Sequence, residues 1–255
     1  MEELLSRVKI ILVHPEDSGN IGSVCRAMKT MGMTRLSIVK KRDFNLEEIK
    51  RLSVHAFDVF ESAEIVETLD EALAGTVMSA GTTRRKGKKR KNFSLLPEEF
   101  VAQAHLIESG DIGVVFGNEV HGLTDEELSR CSLSVHIPSS EVFPSLNLSH
   151  AVQVMTYAFY RYRGKTSGFT PVSREHIEQL TSVIIESLSG IGFFKITGEE
   201  ETRIFFSDIL SRALLSTKEA QKMERIFRKI QHLKICTHIN YAEGLSTSES
   251  SSNRA

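Results

Sequence analysis

Two periodicities alternate along the first 160 or so residues. Short apolar runs rich in β-branched residues occur at Val8–His14, Leu36–Val39, Thr76–Ala80, Ile112–Phe116 and Leu133–Ile137. They lack polar alternation, which predicts strands buried on both faces. Between them, apolar residues recur at helical spacing over Ile21–Met31, Leu46–Leu52, Thr68–Ala74, Pro97–Ile107 and Thr124–Arg130, and an apolar helix spans Ser149–Tyr162. Strands alternating with helices predict an α/β domain built on a parallel sheet. Thr124 with Glu127 forms a capping box, Pro97 suits a first helical turn and Gly32 suits a helix stop.

The pattern changes after a Gly- and Thr-containing connection, residues 164–172. Ile177, Leu180, Ile184 and Leu188, then Phe205, Ile209 and Leu210, then Met223, Ile226, Phe227, Ile230 and Leu233 mark three further helices. The expected organisation is an α/β domain over 1–163, a linker over 164–172, a helical extension over 173–240 and a polar, low-complexity tail over 241–255.

The chain has 255 residues, 40% hydrophobic and 25% charged, enough for a core that needs neither disulfides nor metal. Nowhere do about 18 apolar residues run together, and the first nine residues carry acids without an apolar stretch. No membrane partner and a cytoplasmic location are expected. Cys25, Cys131 and Cys236 are odd in number and far apart, which suits reduced thiols, and no histidine or cysteine spacing suggests a metal site.

Charge is uneven. Arg84, Arg85, Lys86, Lys88, Lys89, Arg90 and Lys91 place seven cations in eight positions, leaving 25 cations against 33 acids elsewhere. Such a run is a solvated loop, a nuclear-targeting tract or a phosphate-binding segment; inside a folded domain the last reading points to RNA.

Ligands of α/β sheets bind beyond the carboxyl ends of the strands. The first strand leads into His14-Pro15-Glu16-Asp17-Ser18-Gly19-Asn20-Ile21-Gly22, which fits neither a dinucleotide nor a triphosphate loop. In the following helix Arg26 stands about 200° around the axis from Val24 and Met28, away from the apolar stripe and on the face of Gly22. It is either a solvated surface residue or a ligand group with space beneath it. Phe116-Gly117-Asn118-Glu119-Val120-His121-Gly122-Leu123 indicates a close backbone turn with a carboxylate at a strand end. Ser145-Leu146-Asn147-Leu148-Ser149-His150 supplies more hydroxyl and amide groups than a helix cap requires.

These segments together resemble the ribose 2′-O-methyltransferases of the SpoU/TrmH class in the SPOUT superfamily. Asn20-x-Gly22-x-x-x-Arg26 resembles the first family motif, Phe116-Gly117-Asn118-Glu119-x-x-Gly122-Leu123 the second, and Ile137-Pro138 with Ser145-Leu146-Asn147-Leu148-Ser149 the third. The resemblance implies a sheet whose C-terminal part forms a deep trefoil knot, S-adenosyl-L-methionine as cofactor, and a homodimer with its site at the subunit interface. Cofactor binding is implied for Gly81, Thr82, Thr83, Arg84, Gly117, Ile137, Pro144, Ser145, Leu146 and Asn147. The catalytic set is Arg26, Asn20, Glu119, Ser145 and Asn147. In that reading Arg26 is the family's candidate base, Asn20 and Asn147 orient the ribose and Arg26, Glu119 holds Arg26 or a bound amine, and His150 is a second candidate base. Arg26 and Arg85 to Lys91 would contact RNA. The C-terminal extension, with Ile191-Gly192-Phe193-Phe194, is similar to the TrmJ-type tRNA methyltransferases, which implies a ribose of the tRNA anticodon loop, a cytidine or uridine at position 32. Methylation of rRNA ribose is the alternative substrate, and a non-catalytic RNA-binding module the alternative class; no DNA partner is expected.

Overall fold

The computed structural model describes residues 2–84, 94–162, 169–194 and 198–246, and only the backbone for 2, 3 and 232–246. The chain divides into two units, Met1–Arg174 and Glu175–Ala255.

The first unit follows the order α1 (Glu2–Leu5), β1 (Val8–Val13), α2 (Ser18–Thr30), β2 (Leu36–Val39), α3 (Leu46–Ser53), α4 (Phe57–Glu61), β3 (Glu64–Val66), α5 (Leu69–Leu73), β4 (Thr76–Thr82), α6 (Pro97–Ala104), β5 (Asp111–Phe116), α7 (Asp125–Arg130), β6 (Leu133–Val135) and α8 (Leu148–Arg161). The sheet has the order β3-β2-β1-β5-β4-β6, with every pairing parallel. Ile10 lies beside Leu36 on one side and Val114 on the other. Successive β1 residues face opposite sides of the sheet, and all six are buried. Ile11 and Val13 join Val39, Val115, Leu73, Leu123, Leu128 and Cys131 in one core layer under α5 and α7. Across the sheet α2 packs on α3 and α8, and α6 packs on α8, where Phe100 meets Phe159 edge to face at 6.0 Å.

Helix boundaries follow local chemistry. Asp17 caps α2 by accepting Gly19 N at 2.7 Å, and Gly32, at φ +72°, lets the chain turn after its last residues. Thr124 and Glu127 form the expected capping box. β3 and α4 were not anticipated. β3 is a three-residue edge strand whose Glu64 and Ile65 are exposed, so it lacks the apolar run that marks the inner strands. Residues 169–172 are held to the first unit: Phe169 pairs with Ile107, Glu108 N donates to Phe169 O at 3.0 Å, and Val172 is buried.

The second unit comprises α9 (Arg174–Gly190, its first residue still in the first unit), α10 (Glu199–Ala213) and α11 (Thr217–Ser246). Ile177, Leu180, Ile184 and Ile185 form the buried face of α9. α11 runs six residues past position 240, to Ser246, and 247–255 lie outside the described residues. Among the described residues no helix is long and apolar enough to cross a membrane, and no acidic, histidine or cysteine group of three could hold a metal. Cys25 and Cys131 are buried, and burial pushes the Cys25 thiol up to about 12.

Two groups at the amino-terminal edge of the sheet link stability to pH. Burial, with the charge of Arg7 nearby, lowers the His105 pKa; its ring lies 4.3 Å from that of Tyr162. The guanidinium of Arg35 grips both carboxylate oxygens of Asp111 and lowers its pKa. The unfolded chain protonates His105 near pH 6.5, whereas the folded chain does so only at lower pH. Its contribution is therefore complete above about pH 6.5 and is lost as pH falls from there through the folded value; that of Asp111 is lost below about pH 4, again as pH falls. The midpoint of thermal unfolding should drop between pH 7 and 5, and His105→Phe, which keeps a ring against Tyr162, should flatten that limb.

Candidate active site

Three connections at the carboxyl edge of the sheet surround a cleft of about 160 Å³. Thr82 ends β4 and Thr83 and Arg84 follow it; Phe116 ends β5 and 117–123 follow it; Ile137, Pro144, Ser145 and Leu146 lead to Leu148, the first residue of α8. The cleft thus contains Thr82, Thr83, Arg84, Gly117, Ile137, Pro144, Ser145 and Leu146 of the expected cofactor set. Its walls are mixed, with apolar Phe116, Leu123, Ile137 and Leu148 beside the hydroxyls of Thr83 and Ser145. The Thr82 hydroxyl is spent internally, donating to Val115 O at 3.0 Å.

The β5–α7 turn is shaped by backbone contact. A Cβ on Gly117 would lie 2.1 Å from the Gly122 carbonyl carbon, so no side chain fits there. Gly122 N donates to Asn118 O, the Asn118 side chain accepts His121 N at 2.7 Å, and Gly122 adopts φ +68°. Asn118 and His121 both line the cleft and were not assigned to the site from the sequence; the self-bonding turn habit of asparagine was the available signal for Asn118.

One hydrogen-bonded chain joins the three motif segments. Glu119 Oε1 accepts Asn20 Nδ2 at 2.9 Å and Asp17 N at 3.3 Å, and Glu119 Oε2 accepts Glu16 N at 2.9 Å. Asn20 Oδ1 in turn accepts Asn147 Nδ2 at 2.9 Å. Asn147 Oδ1 accepts Ser149 N at 2.8 Å, capping α8, a role worth about 1 kcal/mol. Asn20, Glu119 and Asn147 are therefore brought together, with Ser145 two residues from Asn147 and exposed at the cleft.

Four expectations change. Glu119 lines the cleft and holds the loop before α2 through backbone amides and Asn20, with no bond to Arg26 of its own chain. Asn147 does not line the cleft, because its amide is committed to Asn20 and to the helix start. Gly81 is buried below the cleft, where a Cβ would meet Leu128 Cδ1 at 2.6 Å and Cys131 Sγ at 3.1 Å; it lets α7 close on the sheet. Gly22 leaves no space for a ligand: its Cβ would lie 2.5 Å from Ile49 O, so it is the contact point at which α3 crosses α2. Arg26 itself is exposed, has no hydrogen-bond or ion-pair partner among the described residues, and does not line the cleft of its own chain. His150 is exposed and also outside the cleft lining. Arg85, Lys86, Lys88, Lys89, Arg90 and Lys91 lie outside the described residues.

Residues 7–157, which include all three motif segments, match the family described as the SpoU rRNA Methylase family. The chain belongs to that family. It is 32% identical over 231 residues to a tRNA (cytidine-2′-O-)-methyltransferase TrmJ of Methanocaldococcus jannaschii, covering 88% of this chain and all of the relative. It is 42% identical over 157 residues to a tRNA (cytidine/uridine/adenosine-2′-O-)-methyltransferase TrmJ of Pseudomonas aeruginosa, spanning 60% of each chain. Among solved structures, TrmJ from Z. mobilis ZM4 has the same fold, with a TM-score of 0.70 at 23% identity, over 88% of this chain and 98% of that one.

Proposed function

We propose that the protein transfers a methyl group from S-adenosyl-L-methionine to a ribose 2′-hydroxyl of tRNA, in the anticodon loop. The observation that carries this reading is the hydrogen-bonded chain Glu119–Asn20–Asn147, which gathers three distant motifs beside a cleft with the right walls. The cleft suits the cofactor: Ile137, Leu146 and Leu148 offer an apolar slot for a base, while Thr83, Ser145 and the β5–α7 turn offer polar groups for a sugar and an amino acid. When bound, the cofactor supplies a sulfonium-borne methyl group. What the protein adds is chiefly alignment, which for well-oriented reactants lowers a barrier by about 7–11 kcal/mol.

Arg26 is not the base, since a guanidinium is a very poor proton acceptor near neutrality. Its role is to stabilise the oxygen that develops negative charge at the 2′ position and to hold the adjoining phosphate, with the hydroxyl proton passing to that phosphate or to water. Because Arg26 lies outside its own cleft, the complete site joins the cleft of one protomer to Arg26 of a second copy. Exposed Val154, Tyr157 and Tyr160 on α8, and the exposed Val142 and Phe143 that precede that helix in the chain, offer apolar surface of the kind such a homodimer needs. The trefoil knot belongs to the same reading, and β6, from which the chain would enter it, is held between β4 and Leu95, whose backbone pairs with Ser134 and His136. The basic run that begins with Arg84 at the cleft is assigned to RNA in the cytoplasm.

The deciding experiment incubates the protein with labelled cofactor and either unmodified tRNA or ribosomal RNA, then maps the modified ribose. Label confined to a 2′-oxygen of the tRNA anticodon loop, at cytidine or uridine 32, is the expected result; label in ribosomal RNA alone, or none, rejects it.

A further inference from the structure

Carboxylates absorb most of the described cations of the first unit. Lys9 pairs with Glu64, Lys29 with Asp58, Arg35 with Asp111, Lys40 with Asp43, and Arg130 and Arg174 share Asp70. Arg42 and Arg51 have looser partners, Glu16 at 4.0 Å and Glu48 at 3.8 Å. Arg7 gives its guanidinium to backbone carbonyls and Arg161 lies on the ring of Tyr157. Besides Arg84 at the cleft, that leaves Arg26, Lys41 and Lys50 exposed without a counter-charge among the described residues.

These three stand on neighbouring elements. Lys41 is in the β2–α3 loop, at the carboxyl edge of the sheet that also carries the cleft, and Asn45 N of that loop donates to Ser18 Oγ on the first turn of α2 at 2.9 Å. Lys50 lies on α3 one residue beyond Ile49, whose carbonyl marks the α2–α3 crossing at Gly22. Arg26 is one turn, about 6 Å, further along α2 from that crossing. Aromatic rings hold part of this surface in place. Lys50 Nζ is 5.6 Å from the Phe57 ring centre and Lys40 Nζ 5.7 Å from that of Phe44, and both rings pack on Phe60. A cation resting on a ring loses less freedom when it then meets an anion.

We propose that the β2–α3 loop and α3 form a second RNA contact surface, in which Lys41 and Lys50 bind phosphates of the single-stranded nucleotides that adjoin the methylated ribose at Arg26. This surface uses none of the residues Arg84 to Lys91, and it rests on the reading of the protein as an RNA ribose methyltransferase. Cations without a counter-charge, one of them, Lys50, resting on an aromatic ring, are the chemistry by which proteins follow a single strand without reading its sequence.

The test titrates the full-length protein with unmodified tRNA at several salt concentrations, alongside methyl transfer and thermal unfolding. For Lys41→Glu with Lys50→Glu, tRNA affinity at low salt should fall tenfold or more, and the slope of log K against log salt should flatten by about 1.4, at about 0.7 per lost single-strand phosphate contact. In turnover the loss should appear in KM for tRNA, while cofactor affinity stays at the wild-type value. Lys41→Arg with Lys50→Arg should restore affinity and slope. Should the double glutamate protein unfold early, Lys41→Gln with Lys50→Gln gives the same readout. Wild-type affinity and slope in the neutralised or reversed variant, with the wild type methylating tRNA normally, overturn the surface alone. A wild type that neither binds nor methylates RNA overturns the enzymatic reading, and this proposal with it.

Discussion

Arg26→Ala should lower methyl transfer to tRNA by about two to three orders of magnitude while leaving cofactor affinity within a factor of two. The size is that of removing one preorganised donor from a developing oxyanion, about 2.7–4 kcal/mol. The selectivity follows from position, because Arg26 is exposed on α2, has no partner among the described residues and does not line the cleft of its own chain. Truncation therefore breaks no hydrogen bond or ion pair among the described residues, and the unfolding midpoint should stay close to its wild-type value. Equilibrium binding of labelled cofactor and single-turnover transfer separate the two effects. Undiminished transfer would remove Arg26 from the chemistry. A matching loss of cofactor affinity would place it in the cofactor site. Lys at this position should rescue little, since an ammonium keeps the charge but cannot hold an oxyanion and a phosphate with the planar fork of a guanidinium.

Glu119→Gln should act in another way, lowering stability by about 2–4 kcal/mol together with activity. The carboxylate accepts from Glu16 N, Asp17 N and Asn20 Nδ2, and hydrogen bonds to a charged acceptor are each worth about 1.5–3 kcal/mol. In glutamine one of the two oxygens becomes an NH₂ that must face an N–H, so at least one donor of the loop before α2 loses its partner. With the amide nitrogen in the Oε2 place Glu16 N is left unpaired, and with it in the Oε1 place Asp17 N and Asn20 Nδ2 are, so that Asn20 and Asn147 lose their orientation. Urea unfolding and methyl transfer should report a joint loss, whereas Asn20→Ala should cost less stability because the two backbone amides keep their acceptor. A Glu119→Gln protein as stable as the wild type but inactive would assign the carboxylate to the substrate.

The inner strands were readable because a parallel strand buried on both faces is mostly apolar and lacks polar alternation, as β1, β2, β4 and β5 are despite Lys9, Ser37 and Ser79 within them. β3 has three residues and two exposed side chains, and α4 has five residues, so neither carries a periodic signal. Most of the cleft was legible for a different reason. Three motif segments sit at strand ends, and parallel topology brings strand ends to one edge. Glycine was the poorer guide. Gly22 and Gly81 each mark a close approach, but what approaches is decided by elements far away in sequence, the backbone of α3 for one and side chains of α7 for the other. The partner of Glu119 was hidden likewise, because backbone amides are present at every position and leave no mark in a residue pattern.

The β5–α7 turn constrains how the cleft can be altered. With Gly117 pressed against Gly122, and Asn118 bonded across to His121 N, the backbone of this segment has no slack to accommodate a bulkier guest by bending. Val120 and His121 are the exposed positions on that rigid bracket. Redesign toward an enlarged methyl-donor analogue therefore has its most permissive starting point in shortening those two side chains, with the glycines on either side left untouched.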